Sequence, residues 1–204
     1  ILDLVDKQPG WLLDLGCGDG YLAHLMTTRA GSVIGLDSSD RGLLLARRAL
    51  HRSRSRSLHL VCGSIFDLPL APASLDCVIL ADVLEHLEEP ERAMREVAQV
   101  LDTGGRLFLS TPRRQARKAQ GSYHYHEYTA DELDRLLKGY FHRVEVRPFQ
   151  PMAVYRLYQK KVFGRKLFRV LLNCLAILGF NPLAWKGDRS KEARFVHLCA
   201  VAWK

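Results

Sequence analysis

The feature that most constrains the fold is an alternation of short apolar runs with segments that have helix-capping residues at their start. The runs at 11–15, 32–36 and 75–80 have strand length, and the continuous apolar character of the last is typical of a strand covered on both faces. Helical segments follow these runs. The alternation predicts an α/β fold built on a mostly parallel sheet with right-handed crossovers.

The complete set of predicted elements follows from the same signals. The predicted strands are 11–15, 32–36, 58–61, 75–80, 106–110, 141–147 and 195–203. The predicted helices are 21 to about 29, 40 to about 51, 91–101 and 130–138.

Capping residues set the predicted helix boundaries. Pro90 suits a first helical turn, and Thr129 with Glu132 has the spacing of a capping box. The glycine pair Gly104 and Gly105 predicts the end of the third helix.

Composition limits the classes of protein and of partner. The 204 residues are 48% hydrophobic and carry a net charge of +8, which excludes a disordered chain, a collagen and a coiled coil. The length suits a single domain over 1–204. The excess positive charge indicates an anionic partner, either nucleic acid or an acidic membrane surface.

The five cysteines are odd in number and widely spaced, with no C-x-x-C pair. This pattern fits neither a disulfide framework nor a zinc site, and it favours a reducing, cytoplasmic setting. The chain begins at Ile1, so we expect a truncated or trimmed N-terminus.

Three glycines, Gly16, Gly18 and Gly20, lie between the first strand and the first helix. Glycines here let a ligand approach the backbone, and ligands of open α/β sheets bind at the carboxyl ends of the strands. A nicotinamide-type G-x-G-x-x-G would need glycine where Tyr21 stands, and the P-loop lysine is missing too.

Two carboxylates sharpen the ligand prediction. Asp37 follows the second strand and can accept hydrogen bonds from both hydroxyls of a ribose. Asp14 beside the loop would repel a pyrophosphate but suits a cation. Together with the glycines, they favour a positively charged nucleoside that carries no phosphate.

Several motifs in order resemble class I S-adenosylmethionine-dependent methyltransferases. They are D-L-G-C-G-x-G at 14–20, Asp37, GSIFDLPL at 63–70, LDCVI at 75–79 and VLEH at 83–86. The pattern is similar to the small-molecule group that includes ubiquinone-biosynthesis O-methyltransferases. It covers residues 10–148 and returns at the last strand. The resemblance implies a Rossmann-like methyltransferase fold, a mostly parallel seven-stranded sheet flanked by helices, with its last strand antiparallel and a helical insertion at 151–190 before it.

The resemblance also implies S-adenosyl-L-methionine as the cofactor, with S-adenosyl-L-homocysteine as its product. The implied cofactor-binding residues are Asp14, Gly16, Cys17, Gly18, Asp37, Ser38, Ser64, Ile65 and Ala81. Two of them depart from the family pattern. Ser64 stands where a carboxylate or amide is usual, and Ser38 stands where a bulky apolar residue often packs on the adenine.

His86 is the first candidate for a catalytic residue. In the resembled fold it lies on the loop that faces the transferred methyl, and an imidazole suits a base that removes a proton from an oxygen acceptor near neutral pH. The alternative is that His86 only packs the loop. We expect Glu85 to be a structural hydrogen-bond partner.

A second cluster spans 123–128 and resembles the family segment that edges the substrate pocket. His126 is the second catalytic candidate and His124 comes next, the alternative being that these side chains only close the fold. Two histidines two residues apart can share one strand face, but no third metal ligand presents itself. We therefore expect no metal.

Residues 155–185 are first basic and then apolar. If helical, this pattern suits a segment lying in an anionic membrane interface. The alternatives are a cover over the substrate pocket and a partner or homodimer surface.

The sequence therefore predicts S-adenosylmethionine-dependent O-methylation of a small or lipid-like acceptor, in the cytoplasm or peripherally on the inner face of the membrane. One alternative is a tRNA or RNA methyltransferase, motivated by the basic runs at 51–57 and 113–118. These runs lack interleaved aromatic residues on which the bases of a nucleic acid could stack. The other is a protein that binds the cofactor without transferring its methyl group.

Overall fold

The computed structural model describes residues 5, 9–50, 57–115, 124–151 and 187–204. The strands of this part of the chain are β1 (Trp11–Leu15), β2 (Ser32–Asp37), β3 (Leu58–Cys62), β4 (Leu75–Ala81), β5 (Leu101–Pro112), β6 (Arg143–Pro151) and β7 (Phe195–Trp203). The α-helices described are α1 (Tyr21–Met26), α2 (Asp40–Leu50), α3 (Pro90–Val100) and α4 (Ala130–Lys138). Short 3-10 helices cover Leu84–His86 and Arg189–Arg194.

The seven strands form one mixed sheet in the order β3-β2-β1-β4-β5-β7-β6. Neighbouring strands from β3 through β5 pair in parallel, whereas β7 is antiparallel to both β5 and β6. The predicted fold class is confirmed, including the antiparallel last strand. The carboxyl ends of β1, β2, β4 and β5 therefore meet at one edge of the sheet.

Helices cover both faces of the sheet. Leu13 and Leu15 of β1 belong to the apolar cluster packed by α3 and α4, while Leu12 belongs to the cluster packed by α1 and α2. All three leucines are at most 1% exposed. Because β1 is covered on both faces, buried leucines occupy both of them in place of an alternation of apolar with exposed polar residues.

The caps behave largely as the sequence predicts. The hydroxyl of Thr129 accepts from the backbone N–H of Glu132, and the Glu132 carboxylate accepts from the N–H of Thr129, which completes the capping box of α4. Ser39 caps α2 by accepting from the N–H of Gly42 at 3.2 Å.

The predicted strand at 106–110 is too short, because Gly104 and Gly105 do not precede β5 but lie within it. Leu101 already pairs with Leu75, and the register shifts before Arg106 pairs with Cys77. The carbonyl of Gly105 accepts from the N–H of Lys204 at 3.0 Å. Pairing with distant residues thus overrides the local turn signal.

Two other predicted boundaries move. α1 ends at Met26 instead of continuing to about Arg29, and β6 covers Arg143–Pro151 instead of 141–147. Phe141 is buried in the core before the strand begins.

The predicted helical insertion falls almost wholly at 152–186, outside the described residues, and it stays a prediction. Within the described residues, no helix is both long and apolar enough to cross a membrane.

Candidate active site

The glycine loop is fixed to two neighbouring strands. The backbone N–H groups of Gly16 and Cys17 donate to the carbonyl of Leu36 at 2.7 and 3.1 Å. Gly16 has φ +80°, and a Cβ at this position would overlap the side chain of Val83, which follows β4. Only glycine combines this conformation with this close approach.

Asp37 holds the same loop from the end of β2. Its Oδ2 accepts from the N–H of Gly18 at 2.7 Å, and its Oδ1 accepts from the N–H of Ser39 at 2.8 Å. Two backbone donors therefore orient the carboxylate.

A cavity of about 360 Å³ lies at this edge of the sheet, and we call it the glycine cavity. The predicted cofactor residues that line it are Gly16, Asp37, Ser38, Ser64 and Ile65. Val83 and His86 line it as well. The structure thus brings the first catalytic candidate into one cavity with five predicted cofactor residues.

The other predicted cofactor residues lie outside the lining of this cavity. Cys17 is buried among apolar residues, and Gly18 has φ +53° in the loop that Asp37 holds. Ala81 is the last residue of β4.

Ser64, which does line the cavity, uses its hydroxyl to accept from the N–H of Phe66 at 3.1 Å, and this bond stabilises the local turn.

Asp14 is the second-last residue of β1 and is 2% exposed. Burial, with a smaller contribution from the charge of Asp37, raises the pKa of Asp14 from 3.8 to about 7, against an opposing hydrogen bond from the backbone of Ala23. Among the described residues, its Oδ2 atom has no hydrogen-bond partner. A buried carboxylate oxygen without a partner is costly, and a cationic ligand group would offset that cost.

Glu85 connects three segments next to the glycine cavity. It is 1% exposed, and its Oε2 accepts from the hydroxyl of Thr111 on β5 at 2.9 Å. Its backbone carbonyl accepts from the N–H of Tyr125 at 2.8 Å and of His126 at 3.3 Å. Burial raises the pKa of its carboxyl group. These contacts agree with the structural role expected of Glu85.

His124, and not His126, adjoins His86. The rings of His86 and His124 meet edge to face with centroids 5.0 Å apart. Nδ1 of His124 lies 2.9 Å from Oε1 of Glu127, and Nε2 of His86 lies 4.0 Å from Oε1 of Glu85. We call Glu85, His86, His124 and Glu127 the histidine cluster.

His126 lines a different space. Its ring packs on Tyr128 at 4.6 Å, and its Nε2 lies 3.6 Å from Oε2 of Glu132. These residues line an open groove of about 1080 Å³ between the start of α3 and α4, which shares Leu87 with the glycine cavity. The catalytic role of His126 stays a prediction, and its position favours it less than that of His86.

Sequence reasoning missed Thr111 and Glu127. The spacing of His124 and Glu127 was a usable signal, because a carboxylate three residues after a histidine can reach its ring within a turn. Thr111 had no such signal, since its contact with Glu85 depends on the pairing of β4 with β5.

Comparisons with known proteins agree with this geometry. A family model described as a methyltransferase domain matches residues 13–109. A probable S-adenosylmethionine-dependent methyltransferase of Mycobacterium tuberculosis H37Rv is 37% identical over 62% of the chain. These matches support a class I S-adenosylmethionine-dependent methyltransferase domain. A ubiquinone biosynthesis O-methyltransferase of Chromobacterium violaceum is 29% identical over 89% of this chain.

The lengths of these relatives differ from that of the chain. It spans 46% of the mycobacterial relative and 75% of the ubiquinone O-methyltransferase. Among solved structures, the cyclase SpnF superposes with a TM-score of 0.70 over 99% of this chain and 78% of its own, at 20% identity. That likeness shows the fold alone.

The residues of this site fit S-adenosylmethionine, the cofactor named for the mycobacterial relative. The cofactor is a cationic nucleoside without phosphate, and it supplies an activated methyl group on a sulfonium. Asp37 lines the glycine cavity with an oriented carboxylate, which would accept hydrogen bonds from the ribose hydroxyls. Oδ2 of Asp14, which has no hydrogen-bond partner within the described part of the chain, would suit the cationic methionine end.

Proposed function

We propose that the chain transfers the methyl group of S-adenosylmethionine to a hydroxyl oxygen of a small or lipid-like acceptor. The observation that carries this proposal is that His86 lines the same cavity as Gly16 and Asp37. A base beside the cofactor site suits an oxygen acceptor, since a hydroxyl must lose its proton as the methyl arrives.

The histidine cluster supports the role of His86 as this base. The Glu85 carboxylate, held by Thr111, lies 4.0 Å from Nε2 of His86. A carboxylate at this distance stabilises the imidazolium that forms when His86 takes a proton. The chain's own contribution is then to align the acceptor oxygen and to receive its proton.

Apolar side chains on the cavity wall support a hydrophobic acceptor. Phe66 and Leu87 line the glycine cavity together with His86. The ubiquinone O-methyltransferase likeness points in the same direction. A phenol with an apolar tail fits both, because the base can take the proton of its hydroxyl and the apolar wall can contact its tail.

The test is an incubation of the full chain with S-adenosylmethionine and a panel of phenols with and without isoprenoid tails. We expect stoichiometric S-adenosylhomocysteine and a methyl ether, identified by mass spectrometry. Methylated tRNA with no methyl ether would favour the nucleic-acid alternative. Cofactor binding without turnover on any acceptor would favour a binding protein.

The same proposal includes a peripheral contact with an anionic membrane through 155–185, with a homodimer surface as the alternative. Six cations and no acid between 155 and 169 support the membrane contact. We expect the chain to sediment with phosphatidylserine vesicles and not with neutral ones. A concentration-dependent dimer that binds neither kind of vesicle would support the homodimer alternative.

A further inference from the structure

A metal-ligand arrangement lies inside the histidine cluster. Glu85, His86 and His124 each offer one ligand atom, and the three atoms lie within 4.8 Å of one another. The residues come from the turn after β4 and from the segment before α4, so the fold, and not local sequence, brings them together. We infer that these three residues bind a divalent transition-metal ion of the zinc type.

The expectation that no third ligand exists was based on His124 and His126 as a pair. The structure pairs His124 with His86 instead, and Glu85 provides the third ligand. His126 faces the groove next to α4.

Outer hydrogen bonds orient two of the three ligands. Glu127 Oε1 lies 2.9 Å from Nδ1 of His124. A carboxylate oxygen accepts, so Nδ1 carries the proton and Nε2 of the neutral ring presents its lone pair. Thr111 donates to Oε2 of Glu85, which leaves Oε1 on the side of His86. Metal-binding histidines commonly have such a carboxylate behind them.

The donor set selects the class of metal. Two imidazoles and one carboxylate suit zinc and neighbouring first-row ions, whereas Mg²⁺ prefers an oxygen shell. A bound cation would also stabilise the buried carboxylate of Glu85, because burial penalises an isolated charge. Three protein ligands leave a coordination position open, as in catalytic zinc sites.

The open position has a consequence that depends on the proposed function. His86 lines the glycine cavity, so an ion on His86 lies beside the proposed acceptor. An ion there binds the hydroxyl oxygen and lowers its pKa, so that the proton passes to water before the oxygen–methyl bond forms and the sulfur–methyl bond breaks. His86 then acts as a ligand in place of the base.

The experiment measures metal binding to the full chain after chelator treatment, with no cofactor or acceptor present. We expect calorimetry to show one Zn²⁺ per chain, and Co²⁺ to give the visible absorption of a low-coordinate histidine site. His124→Ala should weaken Zn²⁺ binding by at least about 100-fold, and Glu127→Gln by about 10–100-fold.

His142→Ala is the matched control and should bind Zn²⁺ as the wild type does. His142 is exposed, and its N–H bonds to Trp203 at the opposite edge of the sheet. Circular dichroism checks that each variant is folded. If His124→Ala does not fold, the Zn²⁺ affinity of Glu127→Gln and the Co²⁺ spectrum of the wild type test the metal site instead.

Three results would overturn the inference: no stoichiometric Zn²⁺, equal affinities of the His124 and His142 variants, or binding of Mg²⁺ in preference to Zn²⁺. Methyl transfer that persists in chelator would contradict the metal inference and leave the proposed function intact. Zn²⁺ binding without methyl transfer to any hydroxyl would contradict the proposed function and leave the metal inference intact.

Discussion

The glycine cavity and the histidine cluster lie at the same edge of the sheet but are assembled differently. On the cavity side, backbone N–H groups of Gly16, Cys17 and Gly18 bond to the end of β2. In the cluster, side chains far apart in sequence meet through Glu85. Backbone hydrogen bonds therefore fix the glycine cavity, the proposed cofactor side, while individual side chains form the histidine cluster on the proposed acceptor side.

The largest expected effect tests the cluster. His86→Ala should lower turnover by about 100-fold or more, because it removes either the proposed base or a ligand of the proposed metal ion. Affinity for S-adenosylhomocysteine should change far less, since Asp37 and the loop remain. Steady-state kinetics with calorimetry measures both.

His126→Ala is the comparison for that variant, and it should lower turnover less because His126 lines the other groove. A larger loss in the His126 variant than in the His86 variant would move the acceptor into that groove.

The next effect tests the backbone-built half. Gly16→Ala and Gly18→Ala both place a side chain at positive φ, which costs about 1–2 kcal/mol. Only at residue 16 does the new Cβ overlap Val83, adding about 1–3 kcal/mol. Urea denaturation should show the larger loss of unfolding free energy for Gly16→Ala, and Val83→Ala should reduce the gap. Equal losses would show that Val83 does not shape the loop.

A smaller, pH-dependent effect concerns Asp14. Its pKa is 3.8 when unfolded and about 7 when folded, so its charge destabilises the cofactor-free fold fully above pH 7 and not at all well below pH 4. Asp14→Asn should therefore raise the unfolding free energy at pH 8 by up to about 4 kcal/mol, with the gain disappearing near pH 4.

The same variant should bind S-adenosylhomocysteine more weakly, because the amide lacks the charge that suits the methionine end. A gain in stability that does not depend on pH would show that the Asp14 carboxyl is neutral throughout the range.

The succession of strands and helices along the chain was predictable because apolar runs and capping residues are local signals. The residues predicted to bind the cofactor also stand on short motifs next to strand ends. The start of β5 was not predictable from the sequence. Gly104 and Gly105 signal a turn, whereas the strand is formed by pairing with the distant residues Leu75 and Lys204. That His124 is the histidine whose ring meets His86 was not predictable either, since only the packed fold brings these two rings together.

The central claim is that the glycine cavity holds the cofactor through Asp37, and calorimetric titration of S-adenosylhomocysteine tests it most directly. Asp37→Ala should weaken binding at least about 100-fold, because hydrogen bonds to a charged acceptor contribute about 1.5–3 kcal/mol each. Asp40→Ala, at the exposed start of α2 and outside the cavity lining, is the control and should bind as the wild type does. Unchanged affinity in the folded Asp37 variant, or an equal loss in the Asp40 variant, would contradict the account.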